Sequence, residues 1–130
     1  MQHIVTILIA ILIFFIIVVI HEFGHFIAAK LNRIQVNQFA VGMGPKLLHF
    51  QKGETEYSLR LFPVGGFCAM EGEDQSSDNP NAFEKKPVWR RMTVILAGPF
   101  MNILTAFLIA FVFYLCNCLL YTSDAADDKA

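Results

Sequence analysis

His21, Glu22 and His25 stand within five residues in the stretch VVIHEFGHFIAAK, Val18 to Lys30. On a helix, residues four apart lie a little over one turn from each other. His21 and His25 would then project from one face and could hold a single metal ion through their imidazole nitrogens. Glu22, one residue on, falls beside the metal, where its carboxylate could take a proton from water and pass it to a leaving amine. Zinc suits this donor set because it accepts nitrogen and oxygen ligands tetrahedrally, keeps one oxidation state and lowers the pKa of a bound water to about 7. The pattern H-E-x-x-H is thus a hydrolase signal with a mechanism. The bland alternative is a pair of partly solvated histidines at a helix end. The setting argues against it, because ionisable groups that continue an uncharged apolar helix are rare and usually mark function. His3 and His49 have no partner at such a spacing and read as interfacial or surface residues.

The elements that must position these groups are apolar. Of the 130 residues, 55% are hydrophobic and 13 are Phe, and the apolar residues gather in two blocks, which indicates a membrane chain. The first, Ile4 to Ile20, contains no charge and can run on to Ala29; the second spans about Thr93 to Leu115. Each is long enough for a hydrocarbon core of about 30 Å, which takes roughly 20 helical residues. A cleaved signal peptide does not fit the first block: it lacks a basic start, its apolar run is too long, and HEFGH is no small-residue cleavage site. Nine of the ten Lys and Arg lie between the blocks, which predicts a cytoplasmic connection, an external N-terminus, and His21, Glu22 and His25 at the cytoplasmic end of the first helix. Cys68, Cys116 and Cys118 suggest no disulfide framework. No basic and aromatic stripe suits nucleic acid.

Between the blocks, Val36 to Met70 is rich in Phe, Leu and Gly. The run GETEYSLRLFPVGGFCAM alternates as a strand does, with Tyr57, Leu59 and Leu61 to one side and Ser58, Arg60 and Phe62 to the other. Gly53 and Pro63-Val64-Gly65-Gly66 supply turns, so a small sheet of two to four strands is expected close to the membrane. Glu71 to Pro87 is polar and turn-rich. The expected architecture is an α-helical membrane protein: a first transmembrane helix over 1–30, a membrane-associated β-hairpin sheet over 31–70, a polar cytoplasmic loop over 71–91, a second transmembrane helix over 92–117 and a tail over 118–130.

Four stretches, HEFGHFIAAK, FAVGMGPKLLHF, GETEYSLRLFPVGGFCAMEGED and RRMTVILAGPFMNILTAF, come in an order and spacing that resembles the N-terminal part of bacterial site-2 proteases, zinc metalloproteases that cut within the membrane. The resemblance implies His21 and His25 as zinc ligands, Glu22 as catalytic base, and a family A-G-P-x-x-N stretch at Ala97, Gly98, Pro99 and Asn102. It also implies a location in the bacterial inner membrane, lipid contact, and transmembrane substrates such as anti-sigma factors or remnant signal peptides. A helical peptide bond is shielded by its own hydrogen bonds, so a substrate must be held extended. A strand edge over Tyr57 to Phe62, with Tyr57, Leu59 and Leu61 as contacts, is the expected place for strand addition. Asn102 is expected to bind substrate backbone, with a helix-packing contact as the alternative.

The family commonly supplies a third zinc ligand from an L-D-G motif, which does not occur in these residues. Cys118 to Asp128, CLLYTSDAADD, resembles one reading frame of a transposon-end adapter used for sequencing libraries. The expectation is therefore a piece of a longer protease, without activity or tight zinc binding of its own, with a foreign and disordered tail; a genuine acidic tail is the alternative. Two rival functions remain: a membrane interaction or assembly protein with an incidental H-E-x-x-H, and an intramembrane metal carrier.

Overall fold

The computed structural model describes residues 1–129. Helix α1, Gln2–Leu31, is followed by two long antiparallel strands, β1 (Val36–Lys52) and β2 (Thr55–Met70), a short 3-10 turn at Phe83–Lys85, and helix α2, Val88–Asp127. Both helices are long and apolar enough to cross a membrane. Their apolar windows contain no fully buried residue, so most of their surface is left exposed.

Helix α1 ends without glycine. The Ile34 N–H donates to the Ala29 carbonyl at 2.9 Å and the Arg33 N–H to that of Lys30 at 3.1 Å, while Arg33 adopts a left-handed φ of 55°. This is a Schellman end, and the non-glycine residue in it is offset by packing, because Ala29 and Ile34 both enter the core. That core is small. Ala29, Ile34, Val36 and Val94 are buried together, with Phe26, Cys68, Met70 and Phe83 against them, so it lies where α1 ends, the sheet begins and α2 starts. Thr55 is fully buried there, accepting from Lys30 Nζ at 3.0 Å and donating to the Val36 carbonyl at 2.7 Å.

Each strand bends, at Gly42 and Gly44 in β1 and at Gly65 in β2, where φ is positive. As a result Gln38–Val41 is paired on both sides, with Ala69–Gly66 and with Glu56–Leu59, while Leu48–Lys52 pairs with Leu59–Thr55 across the hairpin turn. Tyr57, Ser58 and Leu59 therefore have a strand on either side, so the first half of the expected open edge over Tyr57–Phe62 is closed, while Arg60 and Phe62 are paired on one side only. Gly66–Met70 is paired on one side only. Within this run Ser58 is buried, whereas Leu59 and Leu61 are exposed.

The polar segment after β2 is fastened to the sheet. Asn37 and the Ser77 hydroxyl both donate to the Glu71 carboxylate, each at 2.5 Å, and Asn79 donates to Gln35 Oε1 at 2.5 Å. The Asn37 bond, then the Ser77 bond, holds the Glu71 carboxyl below the ordinary Glu range. Helix α2 begins four residues earlier than expected and continues to Asp127 with exposed side chains from Phe107 onward, in place of the expected unstructured tail.

The two helices approach closely at Gly24. A Cβ there would lie 2.5 Å from the Ala97 carbonyl oxygen, a backbone atom that cannot step aside without α2 moving. Gly24→Ala should therefore cost about 1–3 kcal/mol, the usual range for an overpacked contact, despite alanine's better helix propensity. Denaturant unfolding in detergent micelles measures this, and an unchanged midpoint would mean that the helices part freely.

Candidate metal centre

The i, i+4 spacing on α1 brings the His21 and His25 Nε2 atoms to 3.2 Å from each other. Two nitrogens on one tetrahedral zinc, each about 2.0–2.1 Å from it, stand roughly 3.3 Å apart, so the spacing fits. The outer nitrogens are engaged as well. His25 Nδ1 lies 2.8 Å from the Val94 carbonyl on α2, and because a carbonyl only accepts, that nitrogen carries the proton and His25 Nε2 presents a lone pair. His21 Nδ1 lies 3.1 Å from the Asn102 amide nitrogen, also on α2.

Gly98 keeps the space in front of the pair open. A Cβ built on it would lie 2.4 Å from His25 Nε2 and 2.7 Å from His21 Nε2, so any side chain would intrude on the two ligand atoms. Among the described residues no group of three or more His, Cys, Asp or Glu is placed to hold a metal. His21 and His25 thus fit zinc as a pair of nitrogen donors.

Glu22 faces the sheet. Together with His25, Phe67, Cys68, Met70, Glu73, Val94 and Ile95 it lines a cavity of about 360 Å³. A Cβ on Gly66 would touch Glu22 Cγ at 3.4 Å. The one-sided segment Gly66–Met70 therefore runs past the carboxylate. Cys68 lies in this cavity, where burial and then the Glu22 charge push its thiol up to about 12, leaving it protonated at neutral pH.

The other expected residues are placed differently. Tyr57 packs in an aromatic cluster with Phe26, Phe39 and Phe50, at centroid distances of 5.9, 6.3 and 5.1 Å. Tyr57 and Leu59 line a second cavity, with His49, that is mostly apolar and does not include Glu22 or either ligand histidine. Leu61 is exposed. Asn102 lies on His21, and its Oδ1 is buried without a partner. Sequence reasoning passed over Gly98 as a spacer and Gly66–Met70 as the edge. Their signals were AGP opposite the histidines and GGFCAM at the end of the strand.

The profile of Peptidase family M50 matches residues 9–125. A provisionally named zinc metalloprotease of Clostridium acetobutylicum is 50% identical over 101 residues, covering 78% of this chain and 30% of that protein. A second, from Fusobacterium nucleatum, is 42% identical over 107 residues, 82% of this chain and 32% of the relative. A chloroplastic membrane metalloprotease of Arabidopsis thaliana is 43% identical over 100 residues, 74% of this chain and 22% of the relative. The chain thus spans about a third or less of the length of these relatives.

Proposed function

The chain belongs to Peptidase family M50, whose relatives are named zinc metalloproteases, and from that premise we propose that it forms the N-terminal part of a membrane-embedded zinc endopeptidase of the site-2 type. The observation that carries the reading is the pair of Nε2 atoms 3.2 Å apart in front of Gly98, with Glu22 in the adjoining cavity.

His21 and His25 would hold the metal. When bound, zinc supplies the Lewis acidity that makes water nucleophilic at neutral pH and polarises a peptide carbonyl. Glu22 accepts the proton of the attacking water and returns it to the leaving amine. His25 is kept in its ligating tautomer by the Val94 carbonyl. A substrate transmembrane segment, unwound and extended, would add to the sheet at Gly66–Met70, because that backbone is paired on one side only and passes Glu22. Tyr57, Leu59 and Leu61 would contact the flanking parts of the substrate from the sheet's apolar surface rather than pair with the scissile bond. The apolar helices would lie in lipid, in the bacterial inner membrane, with the basic connection on the cytoplasmic side. Anti-sigma factors and remnant signal peptides are the substrate classes we propose, as the resemblance to site-2 proteases implies.

A chimera tests this reading: the present chain joined to the remainder of the Clostridium acetobutylicum relative, reconstituted in vesicles with a reporter membrane helix. The chimera should cut the reporter and carry one zinc. His25→Ala should lose the zinc and reduce cleavage to background. Cleavage that survives loss of the metal would refute the assignment.

A further inference from the structure

His21 and His25 form a hydrogen-bond chain that a metal must rearrange. The His25 Nδ1–H donates to Val94, so His25 Nε2 is a bare lone pair, and His21 Nε2 at 3.2 Å can contact it favourably only by donating a proton. His21 Nδ1 is then the acceptor, matched to the amide nitrogen of Asn102 at 3.1 Å. With this assignment of protons, Asn102 Oδ1 is buried with no partner among the described residues. A zinc ion needs the opposite at His21, with a lone pair on Nε2 and the proton on Nδ1, where it must meet an acceptor. Turning the Asn102 amide by half a rotation offers Oδ1 as that acceptor in the place Nδ2 holds.

We propose that Asn102 is the positioning residue that selects the His21 tautomer, its amide turning from donor to acceptor as zinc binds. This rests on the zinc reading of the histidine pair. The proton balance is closed: one proton leaves His21 Nε2 and one arrives at Nδ1, so the ring stays neutral in both states. An amide serves both states because it carries a donor and an acceptor on one rotor, whereas a carboxylate can only accept and a hydrocarbon can do neither.

The test uses the full 130-residue chain, ¹⁵N-labelled at histidine, in detergent micelles, titrated with Zn²⁺ into the millimolar range so that a weak two-histidine site is measured. Without metal, wild-type His21 should be protonated at Nε2; with saturating zinc it should be protonated at Nδ1. Asn102→Asp should place the proton on Nδ1 even without metal and bind zinc at least as tightly as wild type. Asn102→Leu should bind zinc about 10- to 100-fold more weakly, the usual effect of losing such a partner, with helix content unchanged by circular dichroism. Equal zinc affinity in all three chains, or Asp as weak as Leu, would reduce Asn102 to a packing residue and leave the zinc site standing. If millimolar zinc shifts neither His21 nor His25, the zinc reading of the pair fails and the inference falls with it.

Discussion

Glu22→Gln in the chimera should keep its zinc and lose cleavage of the reporter helix by about 10²–10⁴-fold, the range that a positioned general base contributes. Gln preserves the size and hydrogen-bonding reach of Glu but cannot accept the proton of water. Glu22 faces a cavity shared with the one-sided strand segment, while both ligand nitrogens point toward Gly98, so removing its charge leaves the two-histidine grip in place. The same variant separates the rival functions. A metal carrier would tolerate the substitution, and an assembly protein would be indifferent to His21 and His25 as well. Bound zinc is counted by atomic emission after desalting, and turnover by reporter fragments on gels. Turnover within a factor of a few of wild type would end the claim that Glu22 is the base.

The histidine pair was legible because it depends only on local geometry: four residues along a helix bring two side chains to one face, whatever else the chain does. The two long helices were legible for a similar reason, since uninterrupted apolar runs leave few other conformations. What depended on contacts between distant residues was not. Alternation identified Tyr57–Phe62 as strand, but a period of two cannot say how many neighbours a strand has. Bends at Gly42, Gly44 and Gly65 fold two strands into a sheet whose inner segments are Gln38–Val41 and Tyr57–Leu59 and whose edges are Gly66–Met70 and Leu48–Lys52. Arg33 gave no glycine signal for the end of α1, which is fixed by Ile34 packing in the core. For Asn102 the sequence leaves substrate binding and helix packing both open, because its contact with His21, 81 residues away, is visible only once α1 and α2 are packed. The sequence marks the segment after Met70 as a polar loop but not what fastens it, since Gln35, Asn37 and Glu71 bind it through side chains whose pairing no local pattern encodes.

Gly98→Ala should sharply weaken zinc binding by the chimera and abolish its cleavage while leaving the helices formed. Alanine is the better helix former by about 1 kcal/mol, so α2 itself gains from the change and a loss of function cannot be assigned to its unwinding. The added methyl would lie 2.4 Å from His25 Nε2 and 2.7 Å from His21 Nε2, closer than real Cβ contacts come, so the rings or the helices must give way. Ring movement is expensive at His25, because its Nδ1 is held by Val94, one turn from Gly98 on the same helix, and a ring displaced from residue 98 is pulled from residue 94. Helix separation would also draw Asn102 from His21. Each escape therefore disrupts at least one ligand, and what remains of the space in front of the pair is occupied by a methyl group that donates nothing to a metal. Zinc affinity measured against a chelator should fall by at least about 100-fold, roughly the energy of two tenfold steps at 1.4 kcal/mol each. The comparison variant is Gly24→Ala, which also crowds the helix interface but away from the ligand nitrogens. It should lower stability yet weaken zinc far less than Gly98→Ala does, because its added methyl meets Ala97 and Met101 and not the ligand nitrogens. If Gly98→Ala binds zinc as wild type does, the metal is not held in front of Gly98, and the geometry on which the centre is built is wrong.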